Sequence, residues 1–431
     1  MDLVRDLLAF VDAGPSPAHV AAEMGRRLEK AGFSLLDERQ RWKLEAGDQR
    51  YVVRDGGSVI AFRVGSASPS DRGLRLVGAH TDSPALRVRP RPDLIRHGYR
   101  QIGVEPYGGL LLHTWLDRDL TLAGRIAVRS ADGGIEMRLV RLQGAPLRIP
   151  SLAIHLDRTI RSEGLQLDPQ RHMAPVWATT GDGSEPDLLS AIAEELGCPA
   201  DAILGHELVA ADTQPPALGG AEEEFVFAPR LDNLLSCHLG LHSLASAPRA
   251  EVTQILICND HEEAGSTSAE GAAGSFLEDA LRRIVSALEG ADPQAFAMTT
   301  ARSWLVSADA AHAVHPNFAE RHDAEHQPRL GGGPVLKSNA NQSYASDAGS
   351  SAWFFARCAD AGVPMQHFVT RADLPCGSTI GPLTAARLGI QTVDAGAPLL
   401  SMHSIREQVA ADDLEALASA LGAHYQAPAG E

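Results

Sequence analysis

Segments of helical and strand-like periodicity alternate at both ends of this 431-residue chain, and from about residue 86 to 229 the alternation stops. Residues 1–32 place apolar side chains at helical spacing (Leu3, Leu7, Leu8, Val11, then Val20, Met24, Leu28), broken at Gly14-Pro15-Ser16-Pro17. The spacing predicts two helices. Short strands follow at Tyr51–Val53, Ser58–Phe62 and Leu74–Gly78, each bounded by Gly, Asp or Ser. After Arg230 the rhythm returns: a helix from about 231 to 246, a strand at Val252–Cys258, a helix near 274–288, a strand at Trp304–Ser307 and a C-terminal helix near 411–422. The economical topology is one α/β domain assembled from both ends, interrupted by a largely β insert.

Within the insert, Arg125–Val128 and Ile135–Val140 alternate as strands do, and Pro186–Leu196 is the one clear helical stretch, read as exposed. At roughly 100–200 residues per domain, the length suits two or three domains.

The charge balance excludes several functions. With 38 Lys+Arg against 55 Asp+Glu, the net charge of −17 opposes binding to nucleic acid, whose affinity rests on cationic side chains displacing counterions. Five cysteines, odd in number and never in a C-x-x-C pair, disfavour a disulfide framework or a thiolate zinc cluster, so a reducing compartment is expected. No run approaches the roughly 18 apolar residues of a membrane span, and the N-terminus lacks a basic stretch followed by an apolar core. A soluble, cytoplasmic protein is expected.

Four apolar strands run into ionisable residues. Leu74–Gly78 leads to His80 and Asp82, Ile255–Cys258 to Asp260, His261, Glu262 and Glu263, Trp304–Val306 to Asp309, and Thr392-Val393 through Asp394 towards His403. Ligand sites in open α/β sheets form beyond the carboxyl ends of the strands, so these groups can converge. Histidines and carboxylates without cysteine are the donor set of Zn²⁺, Mn²⁺ or Co²⁺. Other chemistries lack their motifs: His261-Glu262 has no second His one turn on, no G-x-S-x-G occurs, Gly332–Ser338 has Leu336 where a phosphate loop needs Gly, and Gly181–Pro186 lacks the last Gly of a dinucleotide fingerprint. His80 and Asp82, two apart at a strand end, can share one face, so the Asp82 carboxylate can accept the remaining imidazole N–H; its rival role is a turn cap.

The chain also carries GAHTDSP (Gly78–Pro84), PRLDNL (Pro229–Leu234), DHEEAGS (Asp260–Ser266), SADAAHAVHPN (Ser307–Asn317), PCGSTIGP (Pro375–Pro382) and SMHSIRE (Ser401–Glu407). In these blocks and their order it resembles the aspartyl-aminopeptidase family of dinuclear zinc exopeptidases. The resemblance implies a three-layer α/β metallopeptidase domain (residues 1–85 and 230–431) with an inserted β-rich dimerisation domain (86–229). It implies His80, Asp232, Glu263, Asp309 and His403 as ligands of two Zn²⁺ (or Mn²⁺ or Co²⁺), Asp232 bridging, with Glu262 as general base and Asp82 in the catalytic machinery. Carboxylates offset the clustered charge of such an ion pair.

A preference for N-terminal Asp or Glu is implied as well, and it requires a counter-charge, for which Lys337 in PVLKSNANQSYASD is the candidate, with Tyr344 of the same stretch as a further substrate-binding residue. Glu262 and Asp347 are acidic groups available to the substrate's α-ammonium; Asp347 competes with a role as cap of a helix beginning near Ala348. His155, in IPSLAIHLDR, stands where the family's histidine reaches a neighbouring subunit's pocket, with a structural histidine as the rival reading. Ser151 replaces a histidine found in some relatives and Ala264 a more usual Val; neither is a proposed ligand. Cys376 is read as a packing cysteine. The implied assembly is a tetrahedral homododecamer that encloses its active sites and admits peptides. Two alternatives remain: a metalloaminopeptidase of neutral or basic specificity, and a non-catalytic oligomeric shell or peptide-binding scaffold.

Overall fold

The computed structural model describes residues 1–144, 146–181 and 186–428. At its centre, four strands run parallel: β1 (Leu74–His80), β2 (Thr253–Asn259), β3 (Trp304–Ala308) and β4 (Gln391–Gly396), in the spatial order β2-β1-β3-β4. The register pairs Asn259 with His80 and Val306 with Val77, so the carboxyl ends of these strands share one edge. Five further strands extend this sheet to nine, adding Ser58–Arg63, Gln49–Arg54 and Ser34–Leu35 beyond β2, and Val335–Ser338 and Gln366–Val369 beyond β4.

Every residue of β1 and β2 is buried, the signature of parallel strands covered on both faces. Because side chains alternate across a strand, Val77 and Ala79 join one core while Leu74 and Leu76 join another. The first core is closed by helices Asp2–Ala13, Pro17–Lys30, Leu231–Ser246 and Ala411–Gln426, through Phe10, Leu28, Leu234 and Leu417 among others. Phe276–Glu289 covers the opposite face with Phe276, Leu281 and Ile284. The result is the three-layer α/β arrangement that the resemblance implies.

His424 pins the C-terminal helix to the sheet. Its Nδ1 accepts from Trp353 Nε1 at 3.1 Å, which leaves Nε2 to donate to the Leu76 carbonyl at 2.9 Å. Accepting at Nδ1 requires a neutral ring. Burial, reinforced by the nearby Arg75 cation, pushes its pKa down from 6.5 to about 3. The unfolded chain therefore takes up a proton near pH 6.5 that the folded chain refuses until about pH 3, and this residue costs stability as pH falls through that window. The slope approaches about 1.4 kcal/mol per pH unit. Urea unfolding at decreasing pH should show that slope diminished in His424→Gln; an unchanged slope would refute the assignment.

Between β1 and β2 in sequence the chain builds a second, six-stranded antiparallel sheet in the order Ile135–Arg141, Leu120–Arg129, Ile203–Asp212, Ala85–Arg96, Tyr99–Tyr107, Val176–Thr179. It has its own core, which includes Leu86, Val104, Leu122, Ile126 and Leu208. The expected helix is present as Leu188–Leu196, capped by Asp187, but it is not simply exposed: Leu188, Ile192 and Ala193 are buried. Their spacing is one helical face, which the second core covers. A small sheet of Ala217–Gly219, Phe225–Ala228 and Glu407–Ala410, unforeseen because its strands are so short, joins the approach to Asp232 to the segment just after His403. Among the described residues, no helix is long and apolar enough to cross a membrane. Residues 182–185, within the stretch tested for a dinucleotide fingerprint, lie outside the described residues.

Candidate metal centre

The shared carboxyl edge brings the strand-end residues together. His80 is the last residue of β1, Glu262 and Glu263 sit in a short 3₁₀ turn after β2, and Asp309 follows β3 directly. Asp232 lies in the first turn of the segment Leu231–Ser246, where its own backbone is not helical (φ −81°, ψ 104°), entered through Arg230 in the left-handed region (φ 57°). His403 lies on the loop ahead of Glu407–Ala410, itself at φ 66°.

Asp232 is the centre of the arrangement. Its Oδ1 stands 3.4 Å from His80 Nε2 and its Oδ2 3.4 Å from His403 Nε2. On one side His80 Nε2 lies 3.6 Å from Asp309 Oδ1, and on the other His403 Nε2 lies 3.3 Å from Glu263 Oε1. Two triads result, His80/Asp232/Asp309 and Asp232/Glu263/His403, each with its donor atoms within 4.8 Å of one another. These separations exceed those of good hydrogen bonds, and Asp232 Oδ1 is buried with no hydrogen-bond partner. Carboxylate and imidazole atoms converging without bonding each other fit divalent cations.

The electrostatics agree. Burial draws the His403 imidazolium down, but the Asp232 and Glu263 carboxylates outweigh it and lift its pKa to about 11; His80 is raised in the same way by Asp232, Asp309 and Asp82. The site demands positive charge, and protonated imidazoles are what supplies it when cations do not. Glu262 shares a further grouping with His80 and Glu263, and burial pushes its carboxyl up to about 8 against the pull of His80.

Asp82 does more than was expected of it. The nearest acceptor for His80 Nδ1 is the Asp82 main-chain carbonyl at 3.0 Å, with the carboxylate at 3.4 Å. The carboxylate also accepts from the backbone N–H of Glu262 (3.2 Å) and of Glu263 (3.0 Å), and from the Tyr107 hydroxyl (2.5 Å). It therefore anchors the turn that presents both glutamates. The reason is geometric: a residue two beyond a strand end reaches the neighbouring strand's loop, and sequence spacing alone does not show where that loop passes.

Lys337 is 2% exposed and donates to Asp309 Oδ2 at 3.1 Å and to the Ala310 carbonyl at 3.2 Å. Its ammonium also lies 5.0 Å from the centre of the Tyr344 ring, and that tyrosine is buried against Phe368 and Cys376. Cys376 accepts from the Thr370 hydroxyl at 3.1 Å. Asp347 caps the helix Ala348–Ala361, exchanging hydrogen bonds with Ser350, the capping role that the sequence offered against an ammonium site. Asp394 is likewise spent away from the cluster, on Thr379 and the Ala345 N–H. His155 is exposed within a segment whose Leu152, Ile154 and Leu156 are exposed too, and it takes no part in this cluster.

Three contributors were not anticipated. Glu407 is buried, and its two oxygens accept from the backbone N–H groups of His403 (2.8 Å) and Asp232 (3.0 Å), clamping both flanks. The Gly109 carbonyl bonds His403 Nδ1 at 2.9 Å, so a segment between the strands of the second sheet orients this imidazole. Tyr107, from that sheet, holds Asp82. Glu407 closes the SMHSIRE block, a signal that was present; nothing local marks Tyr107 or Gly109.

Comparison with known proteins converges on the same reading. The family described as aminopeptidase I zinc metalloprotease (M18) matches residues 10–425. A probable M18 family aminopeptidase 2 of Pseudomonas paraeruginosa is 50% identical over 428 residues, 98% of each chain. A chain in the cryo-EM structure of the Ape4 and Nbr1 complex superposes with a TM-score of 0.95 at 37% identity, covering 98% of this chain and 85% of that one. The S. cerevisiae mApe1 dodecamer gives 0.85 at 27% identity, over 98% and 96%. The chain belongs to the M18 family of zinc metalloproteases and is a metal-dependent aminopeptidase.

Proposed function

We propose that this enzyme removes N-terminal residues, Asp and Glu in preference, from peptides, using two zinc ions (or Mn²⁺ or Co²⁺), one held by His80, Asp232 and Asp309 and the other by Asp232, Glu263 and His403. The observation that carries the reading is one carboxylate, Asp232, placed between two triads with Glu262 alongside. Bound ions supply Lewis-acid polarisation of the scissile carbonyl and acidify a water. Glu262, half-buried beside both triads, takes that water's proton and delivers it to the departing amine. Asp82 and Tyr107 fix the turn that aims Glu262. Glu407 and Gly109 hold the backbone and ring orientations around Asp232 and His403.

Acidic preference rests on Lys337. An ammonium has three donors, and two are used within the chain, which leaves one for a substrate carboxylate, with Tyr344 packed behind it. The same two bonds favour the rival, a neutral specificity with Lys337 serving Asp309 alone. Residues 86–229 are proposed to form a dimerisation domain within a homododecamer, as the dodecameric mApe1 supports, and His155 to reach the pocket of an adjacent subunit from its exposed segment. The acidic net charge favours peptides over nucleic acid as partners, and the cytoplasm is the proposed compartment.

Hydrolysis of matched Asp-, Glu-, Leu- and Arg-amides tests both parts. Chelation should abolish turnover and added Zn²⁺, Mn²⁺ or Co²⁺ restore it. Asp and Glu amides should be cleaved fastest, and Lys337→Met should lose that preference while keeping cleavage of the Leu amide. Faster turnover of Leu or Arg amides by the unaltered enzyme would overturn the acidic reading and leave the metal chemistry standing.

A further inference from the structure

Asp260, His261 and Glu270 form another convergent group near the paired triads. Their donor atoms lie within 4.8 Å of one another, and both carboxylate residues are 6% exposed. Glu270 Oε2 is buried without any hydrogen-bond partner. The nearby basic side chains offset only part of this charge: Arg125 is shared between Glu207, which it hydrogen-bonds, and Glu270, with which it forms a longer ion pair at 3.9 Å, and Arg87 lies over the Tyr107 ring. Burying carboxylates without an adequate counter-charge is costly.

The space is kept open by a glycine. A Cβ at Gly57 would stand 2.3 Å from Asp260 Oδ2 and 2.6 Å from Glu270 Oε2, so both oxygens face the same small volume. Gly57 is not at positive φ, and the absence of a side chain there is needed for room rather than for backbone freedom. His261 brings a ring nitrogen to the same group, and its Nδ1 is 2.9 Å from Ser268 Oγ. Gly57, Asp260 and His261 line one cavity of about 70 Å³, together with Arg87, Tyr107 and Arg125.

We propose that Asp260, His261 and Glu270 bind one additional divalent transition-metal ion, distinct from the pair that Asp232 bridges. Two carboxylates and an imidazole are a donor set for Mn²⁺ or Zn²⁺. Its role follows from where the ligands sit. Asp260 and His261 immediately precede Glu262 and Glu263, and Glu270 lies on the far side of the same loop. Ser58 and Asn259 already stitch those two ends together, each donating a side-chain bond to the Glu270 carbonyl at 2.9 and 3.0 Å. An ion here staples the loop that presents the two glutamates, acting as a positioning element and not on substrate.

The test is an ion count per subunit on the full-length enzyme, stripped with chelator and reloaded with Mn²⁺ or Zn²⁺. Glu270→Gln and Gly57→Ala should each bind one ion fewer than the unaltered enzyme, and Asp232→Asn should still retain one. With Mn²⁺, the unaltered enzyme should show an isolated-ion paramagnetic signal beside that of the coupled pair, and this measurement needs no variant to fold. Equal counts in the unaltered enzyme and Glu270→Gln, or no ion left in Asp232→Asn, would overturn the additional site while leaving the paired centre intact. A protonated-carboxyl infrared band at full loading, removed by Glu270→Gln, would overturn it too, because a shared proton would then supply the missing charge. Loss of the coupled signal alone would instead fault the paired centre.

Discussion

Asp232→Asn should abolish aminopeptidase turnover and uncouple the enzyme's stability from zinc. Both triads depend on this one carboxylate, whose oxygens face His80 and His403 at 3.4 Å each. An amide keeps the shape and removes the charge that two cations would share. Any ligand that binds only the folded state stabilises it by mass action, by roughly 4 kcal/mol at a thousandfold excess over Kd. Thermal unfolding of the unaltered enzyme should therefore shift upward on adding zinc, whereas the variant's response should be much smaller. Because Glu407 holds the Asp232 backbone and not its side chain, the variant should keep its fold. Retention of the coupled metal pair, or of turnover, would refute the bridging assignment.

Glu262→Gln should lower kcat by about 10²- to 10⁴-fold, the range in which a positioned acid–base group contributes, with the metal content unchanged and KM little altered. The side chain is not in either triad built on Asp232, so the amide removes proton transfer without removing a proposed bridging-site ligand. Metal content measured on the same preparation separates this outcome from a collapsed site. A variant with full kcat would eliminate Glu262 as the base; one that loses its ions would recast it as a ligand. A non-catalytic peptide-binding scaffold would be indifferent to the change.

Strand and helix periodicity located the elements that carry the site to within a few residues because β1 to β4 are buried on both faces and their apolar runs leave little ambiguity. The strand ends marked His80, Glu262, Glu263 and Asp309 for the same reason: an ionisable residue just beyond such a run has left the apolar interior. Asp232 and His403 were different, since neither ends a strand of the large sheet. Asp232 was singled out only by the resemblance carried by PRLDNL, whereas His403 was approached from the strand ending at Thr392-Val393 and fixed by SMHSIRE. The two-residue step from His80 to Asp82 pointed to the imidazole, which the carboxylate does approach, but not to the Glu262 and Glu263 N–H groups that it also holds.

What the sequence alone determined is the α/β frame, the interruption between its halves and the donor types of a metal site, because periodicity and residue chemistry are local properties. What the tertiary structure decided is which partners those donors meet. Lys337 became a buried partner of Asp309, while Tyr107 and Gly109 were brought from the second sheet to hold Asp82 and His403. These pairings join residues up to 294 positions apart, and no pattern within either segment records where the other will lie. They arise when two sheets with separate cores pack along one edge.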